Sequence, residues 1–255
     1  MSLQAVIFDV DGTIAETEHD GHQVAFNRAF EQYGLPDRWN DSLYGRLLNV
    51  AGGRERLQYY FDNHRPLPEG NHPAAATAIH RLKNRILLEI IDSPGLLPRP
   101  GILRLLDELH QSGIRTAIAT TGSRAWVIPL LHRLLGAERL SRLDPIVTGD
   151  EVRLKKPDPA AYRIALKRLG IPATAAVAIE DSDNGLRAAV SAGIACLCTP
   201  DRYSGHHDLG TAALVVDTLG DPEKPASVLT NPLNLSVGSL IDRSLLQQIC
   251  RSLAD

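Results

Sequence analysis

Five short, largely apolar runs recur along the chain, at residues 5–8, 116–119, 176–179, 194–197 and 214–216. Runs of this length without polar alternation suit strands buried on both faces, the situation of a strand inside a parallel sheet. Amphipathic stretches lie between the later runs. In 101–111, Ile102, Leu105, Leu106 and Leu109 share one helical face and Gly113 closes the segment. Residues 159–169 and 184–192 repeat the pattern, ended by Gly170 and Gly193. Strand and helix alternate, so the expected fold is α/β, a doubly wound, Rossmann-like parallel sheet.

One segment breaks that rhythm. From 16 to 97 the apolar positions keep helical spacing with no strand-like run, which predicts an inserted α-helical cap domain. Its return point is the stretch 93–101, where three prolines and two glycines read as linker. The core is therefore expected over 1–15 and 98–221 and the cap over 16–97. A C-terminal extension, 222–255, is expected to be helical over 240–253 and packed on the core.

A chain of 255 residues, 44% hydrophobic and 22% charged, has material for one large α/β domain plus a modest insert. Its net charge of −3 creates no field for a polyanion, and no basic stripe is present, so nucleic acid is not an expected partner. A small anion remains compatible, because a pocket can be basic within an acidic protein. Cys196, Cys198 and Cys250 are odd in number and lack metal-ligand spacing, which points to reduced, structural thiols. No basic stretch precedes the first apolar run, and none approaches the roughly 18 apolar residues of a membrane span. The expectation is a cytoplasmic monomer with no membrane partner.

Chemistry concentrates where the strands end. Asp9-Val10-Asp11-Gly12-Thr13 leaves the first run directly, so two carboxylates can face one crevice; alone, the motif is also compatible with a metal loop or an Asx turn. Thr120 ends the second run and Thr121-Gly122-Ser123 follows, in outline a phosphate cradle, although such composition is also ordinary loop. Lys156 stands before Pro157 and a proline-stiffened helix start. Glu180-Asp181-Ser182 closes the third run with adjacent acids, which could also serve as a helix N-cap. Four such features in order, each at a strand tip, are hard to explain separately.

Together, Asp9-Val-Asp-Gly-Thr, Thr120, Lys156-Pro and Glu180-Asp-Ser-Asp-Asn-Gly resemble the four ordered motifs of the haloacid dehalogenase (HAD) superfamily. The resemblance implies that Asp9 is a nucleophile forming an aspartyl-phosphate and that Asp11 is the general acid and base. It further implies that Thr120 and Lys156 hold the transferring phosphoryl oxygens, and that Mg²⁺ is bound by Asp9, the Asp11 carbonyl and Asp181 with help from Glu180. A halide leaving group needs no acid, so Asp11 argues for a phosphatase over a dehalogenase.

The insert resembles the caps of β-phosphoglucomutase-like and CbbY-type members. Ala15–Glu18, Gly21-His22, Ala25–Asn27 and Gly52-Gly53-Arg54-Glu55-Arg56 are similar to the CbbY pattern, with Arg54 where that pattern often carries Lys. Glu18 and His22 are expected to contact sugar hydroxyls, and Tyr44 to belong to the same surface. Gly52 and Gly53 would let backbone approach an anion while Arg54 and Arg56 together read a second phosphate. Thr121 and Gly122 would complete the substrate contacts. The CbbY resemblance implies dephosphorylation of a small sugar phosphate, xylulose 1,5-bisphosphate, an inhibitor of Rubisco. A phosphomutase, a general sugar-phosphate or phosphoglycolate phosphatase, and a non-catalytic binding protein are the alternatives.

Overall fold

The computed structural model describes residues 2–50, 52–67 and 71–252. The chain divides into two compact units, Met1–Glu16 with Leu97–Asp255 and Thr17–Leu96.

The first unit is built on a sheet whose strand order is β3-β2-β1-β4-β5-β6-β7. These strands are β1 (Ala5–Phe8), β2 (Arg115–Ala119), β3 (Leu143–Val147), β4 (Ala176–Glu180), β5 (Ala195–Cys198), β6 (Leu214–Val216) and β7 (Val228–Thr230). All pair in parallel except β7, which runs antiparallel to β6. β1 is central, with Ala5 opposite Arg115 on one side and Ala176 on the other. Its four residues are fully buried, as a strand covered on both faces must be.

Helices cover both faces. On one lie α5 (Ile102–Gln111), α6 (Arg124–Ser141) and α9 (Arg243–Arg251); on the other, α7 (Ala160–Leu169) and α8 (Asp183–Ser191). Alternation along the strands sorts the side chains. Ala5, Ile7, Ala117, Ala119, Ala176, Ala178, Cys196 and Cys198 join Tyr162, Leu166 and Leu186 in one buried cluster. The three cysteines are buried and unpaired as disulfides.

Two strands escape the sequence reading. β3 is Leu-Asp-Pro-Ile-Val, and Asp144 and Pro145 interrupt its apolar run; an edge strand tolerates a proline that a central one would not. β7 is three exposed residues inside the Pro-rich connection. The extension beyond 221 is therefore not purely helical: it adds the last strand before α9. That helix starts at Arg243 because Asp242 caps it, its Oδ1 accepting from the Leu245 N–H at 2.8 Å.

The second unit contains a π-helical turn, Glu18–Gln23, running into α1 (Val24–Tyr33), then α2 (Asp41–Leu47), α3 (Gly53–Asn63) and α4 (His72–Asp92). Its core is aromatic. Trp39 packs on Phe26 and Phe30 with ring centroids 4.7 and 5.0 Å away, and Tyr44, Tyr60 and Phe61 complete the group. Asn27 fixes the Trp39 backbone, accepting from its N–H at 2.8 Å and donating to its carbonyl at 3.0 Å.

Candidate active site at the strand tips

Parallel strands present their carboxyl ends on one edge, and β1, β2 and β4 are neighbours there. Asp9 follows β1 immediately and extends its pairing, its N–H donating to Ile179 at 3.0 Å. Thr120 follows β2, and its N–H donates to Val147 at 3.0 Å. Glu180 ends β4 and Asp181 follows it.

Lys156 arrives from the loop before α7 and sits between two acids. Its Nζ donates to Asp9 Oδ1 at 2.5 Å and to Glu180 Oε1 at 2.6 Å. All three side chains are buried. Burial works against the lysine's charge, but the two carboxylates outweigh it and hold its pKa above the ordinary value. Asp9 is pushed well above the usual carboxylate range by burial, against the pull of Lys156. Asp181 is pushed the same way by burial and by Asp201, Asp9 and Glu180, with Arg99 opposing.

This balance leaves negative charge in excess. Oxygens of Asp9, Glu180 and Asp181 lie within 4.8 Å of one another, and Glu180 Oε2 is buried without a hydrogen-bond partner. A buried anionic oxygen in that state is costly, and a hard cation among carboxylates relieves the cost. The donor set thus fits a divalent metal of the oxygen-seeking kind.

The loop after β2 is ordered by its own side chain, since Thr120 Oγ1 accepts from the Gly122 N–H at 3.1 Å. Gly122 is buried, and a Cβ there would meet the Val127 side chain at 2.9 Å. Asp11 lies on the turn after β1, half-buried. Gly12 in that turn has φ +75°, and a Cβ on it would press on Asp181 Oδ2 at 2.5 Å. Glycine is what lets the turn lie against the acid.

Three residues of this site are missing from the sequence reading. Tyr162 donates its hydroxyl to Glu180 Oε1 at 2.5 Å, and Lys156 lies over its ring at 5.1 Å. Asp201 is buried, its Oδ1 accepting from the Tyr203 and Ser204 N–H groups at 2.8 and 2.7 Å. Arg99 is buried among backbone carbonyls. Tyr162 occupies an apolar position of an amphipathic helix, Asp201 follows a proline in a loop, and Arg99 reads as linker, so none carries a local signal.

In the helical unit, Tyr44 donates to Glu18 Oε2 through its hydroxyl. Arg56 donates from Nη1 to the Tyr44 hydroxyl and from Nε to the Leu47 carbonyl, each at 3.1 Å, and its Nη1 lies 3.9 Å from Glu18 Oε2. Glu18, Tyr44 and Arg56 therefore form one partly buried cluster. His22 is buried on the π-helical turn. Gly52 caps α3 with φ +96°, and Gly53 opens it, where a Cβ would meet the His80 ring at 3.0 Å.

Arg54 does not join this cluster. Two residues apart on a helix means about 200° of rotation, so Arg54 and Arg56 diverge. Arg54 is 60% exposed, pairs with Glu55 at 3.0 Å and lines an open groove of about 510 Å³ with Gln58, Tyr59 and Thr77. The two arginines, expected to read a second phosphate together, therefore stand in different surroundings, Arg54 exposed and Arg56 held in the cluster.

The haloacid dehalogenase-like hydrolase family matches residues 3–193. Protein CbbY of Cupriavidus necator is 44% identical over 225 residues, covering 88% of each chain. Among solved structures, CbbY from Rhodobacter sphaeroides in complex with phosphate is similar at a TM-score of 0.77 and 38% identity, over 85% of this chain and 94% of that one. A variant of it in complex with xylulose-(1,5)bisphosphate matches to the same extent. Among the described residues no helix is long and apolar enough to cross a membrane. With the motif order, the buried Asp9–Lys156–Glu180–Asp181 group and these likenesses in agreement, the chain belongs to the haloacid dehalogenase-like hydrolases, as a phosphatase of the CbbY type.

Proposed function

We propose that this phosphatase removes a phosphoryl group from xylulose 1,5-bisphosphate in a Mg²⁺-dependent reaction at Asp9. The observation that carries the reading is the buried cluster itself: a nucleophile-capable carboxylate 2.5 Å from a lysine and grouped with two further acids. The sugar bisphosphate is supported by the CbbY structure in complex with that compound.

The chain's own residues divide the work. Asp9 attacks phosphorus and forms an aspartyl-phosphate, which splits a difficult transfer into two steps. Asp11 protonates the departing sugar oxygen and then takes the proton of the attacking water. Lys156, held cationic between two carboxylates, supplies positive charge, and the Thr120 hydroxyl, oriented by the Gly122 N–H it accepts from, supplies a donor to the transferring oxygens, with Thr121 and Gly122 beside it. Asp9, the Asp11 carbonyl, Asp181 and Glu180 would hold Mg²⁺. That ion, when bound, neutralises the phosphoryl charge that would otherwise repel Asp9.

Selection falls to the helical unit, where Glu18, His22, Tyr44, Gly52, Gly53 and Arg56 are the residues proposed to meet the sugar and its second phosphate. Arg56 is the favoured one for the phosphate, because its cationic guanidinium is fixed in place by the Leu47 carbonyl and the Tyr44 hydroxyl. The deciding experiment is product analysis of xylulose 1,5-bisphosphate with and without Mg²⁺. Release of one equivalent of inorganic phosphate is expected; return of the phosphoryl group from Asp9 to a sugar monophosphate, giving isomerised sugar phosphate and no inorganic phosphate, indicates a phosphomutase instead.

A further inference from the structure

Arg99 stands in the Pro-rich segment that leads into α5, a place where an exposed linker side chain is expected. Instead the guanidinium is buried and saturated by backbone carbonyls. Nη1 donates to Gly12 and, at 2.6 Å, to Thr199; Nη2 donates to Pro200 at 3.0 Å and Asp217 at 3.1 Å. Nε lies 3.2 Å from Glu16 Oε1. One side chain thereby joins three strand-tip loops, those after β1, β5 and β6.

The backbone reinforces this. The Arg99 N–H donates to Ile14 at 2.8 Å, and Pro98 bridges Ala15. Within the turn, the Gly12 N–H donates to Ala15 and the Ile14 N–H to Val10, both at 2.9 Å. Gly12 is thus fixed on three sides: by Arg99 at its carbonyl, by Ala15 at its N–H, and by Asp181 and Asp201 where a side chain would be. Asp11 is the residue immediately before it, and its position follows that of the Gly12 peptide.

We infer that Arg99 is a positioning residue for Asp11: it locks the Asp11-Gly12 turn against the loops after β5 and β6 so that the acid meets the leaving oxygen. The inference rests on the proposed role of Asp11 as proton donor. Only a planar fork with several donors can serve carbonyls from three loops at once, and a lysine ammonium cannot reproduce it.

A misplaced acid has a signature that general destabilisation lacks. A sugar oxygen needs a proton as it departs, whereas p-nitrophenolate leaves without one. Arg99→Lys and Arg99→Gln are to be assayed on xylulose 1,5-bisphosphate and on p-nitrophenyl phosphate, with rates expressed per folded molecule from near-UV circular dichroism. Asp11→Asn is assayed beside them. For Arg99→Lys, kcat on the sugar bisphosphate is expected to fall roughly 10–100-fold, part of the 10²–10⁴ that acid–base catalysis contributes, with KM within about threefold. On p-nitrophenyl phosphate the loss is expected to stay below about fivefold. Equal losses on both substrates for the Arg99 variants, beside a selective loss for Asp11→Asn, overturn the inference alone. If Asp11→Asn itself loses equally on both, the acid assignment falls and the inference falls with it.

Discussion

Tyr162→Phe removes one oxygen and leaves the ring in place, so it isolates a single bond in the site. The lost donor is 2.5 Å from Glu180 Oε1 and is fully buried. A hydrogen bond to a charged group contributes about 1.5–3 kcal/mol, and Glu180 keeps Lys156 on the same oxygen, which favours the lower end. For a chain of this size each kcal/mol moves Tm by about 2–4 °C, so a fall of roughly 3–8 °C is expected. Burial pushes the Tyr162 phenol well above its ordinary pKa, so it remains a donor at every working pH. Being protonated in both folded and unfolded chains below about pH 9, it contributes no proton linkage, and the difference between wild type and variant should stay flat from about pH 6 to 9. The measurement is calorimetry at several pH values, with Glu180→Gln and the double variant completing a cycle. A Tm unchanged within about 1 °C, or a coupling near zero in the cycle, would falsify the assignment of Tyr162 as a partner of Glu180 and return it to simple core packing.

Asp11→Asn should lower turnover of the sugar bisphosphate by roughly 10²–10⁴-fold and that of p-nitrophenyl phosphate much less, read from initial rates on both. Arg56→Ala should cost about 10–150-fold in kcat/KM for the bisphosphate, the worth of a charged hydrogen bond, while exposed Arg54→Ala stays within about threefold; reversed effects would refute the division between them. Mg²⁺ at about 100 times its dissociation constant should add roughly 2.7 kcal/mol of stability, seen as a higher Tm than in EDTA, and Asp181→Asn should abolish most of that gain. Gly185→Ala should destabilise the fold, because its Cβ would collide with the Glu180 carboxylate; an unchanged Tm would show that the acid can move aside.

The parts legible in the sequence were those with a repeating or local signal. β1, β2, β4, β5 and β6 show as apolar runs because both faces are covered, and Asp9, Thr120 and Glu180 stand where those runs stop. β3 and β7 were hidden because edge strands have no such requirement. α6 carries Pro129 and a break at Gly136, φ +79°, which blur its periodicity. Within the site, what could not be read was mutual support: Lys156 between two carboxylates, Tyr162 beneath Glu180, and Arg99 among carbonyls from three loops. Such contacts join positions far apart in the chain, and no spacing announces them. The same holds for Arg54 and Arg56, neighbours in the sequence that the helix turns apart.

The pairing of β1 also bears on how the chain is made. This strand precedes both of its partners in the chain, residues 115–118 and 176–179. The helical unit, residues 17–96, emerges in between and carries its own aromatic core, so its local contacts can form while the Ala-Val-Ile-Phe strand still lacks both neighbours. Contacts of such long range form late, and until they do a short β-prone apolar segment stays open to other chains. The strand that leads into Asp9 is thus made before both of its neighbours and completed only after them. Residues that speed the docking of β2 and β4 therefore govern the yield of active enzyme as much as its final stability.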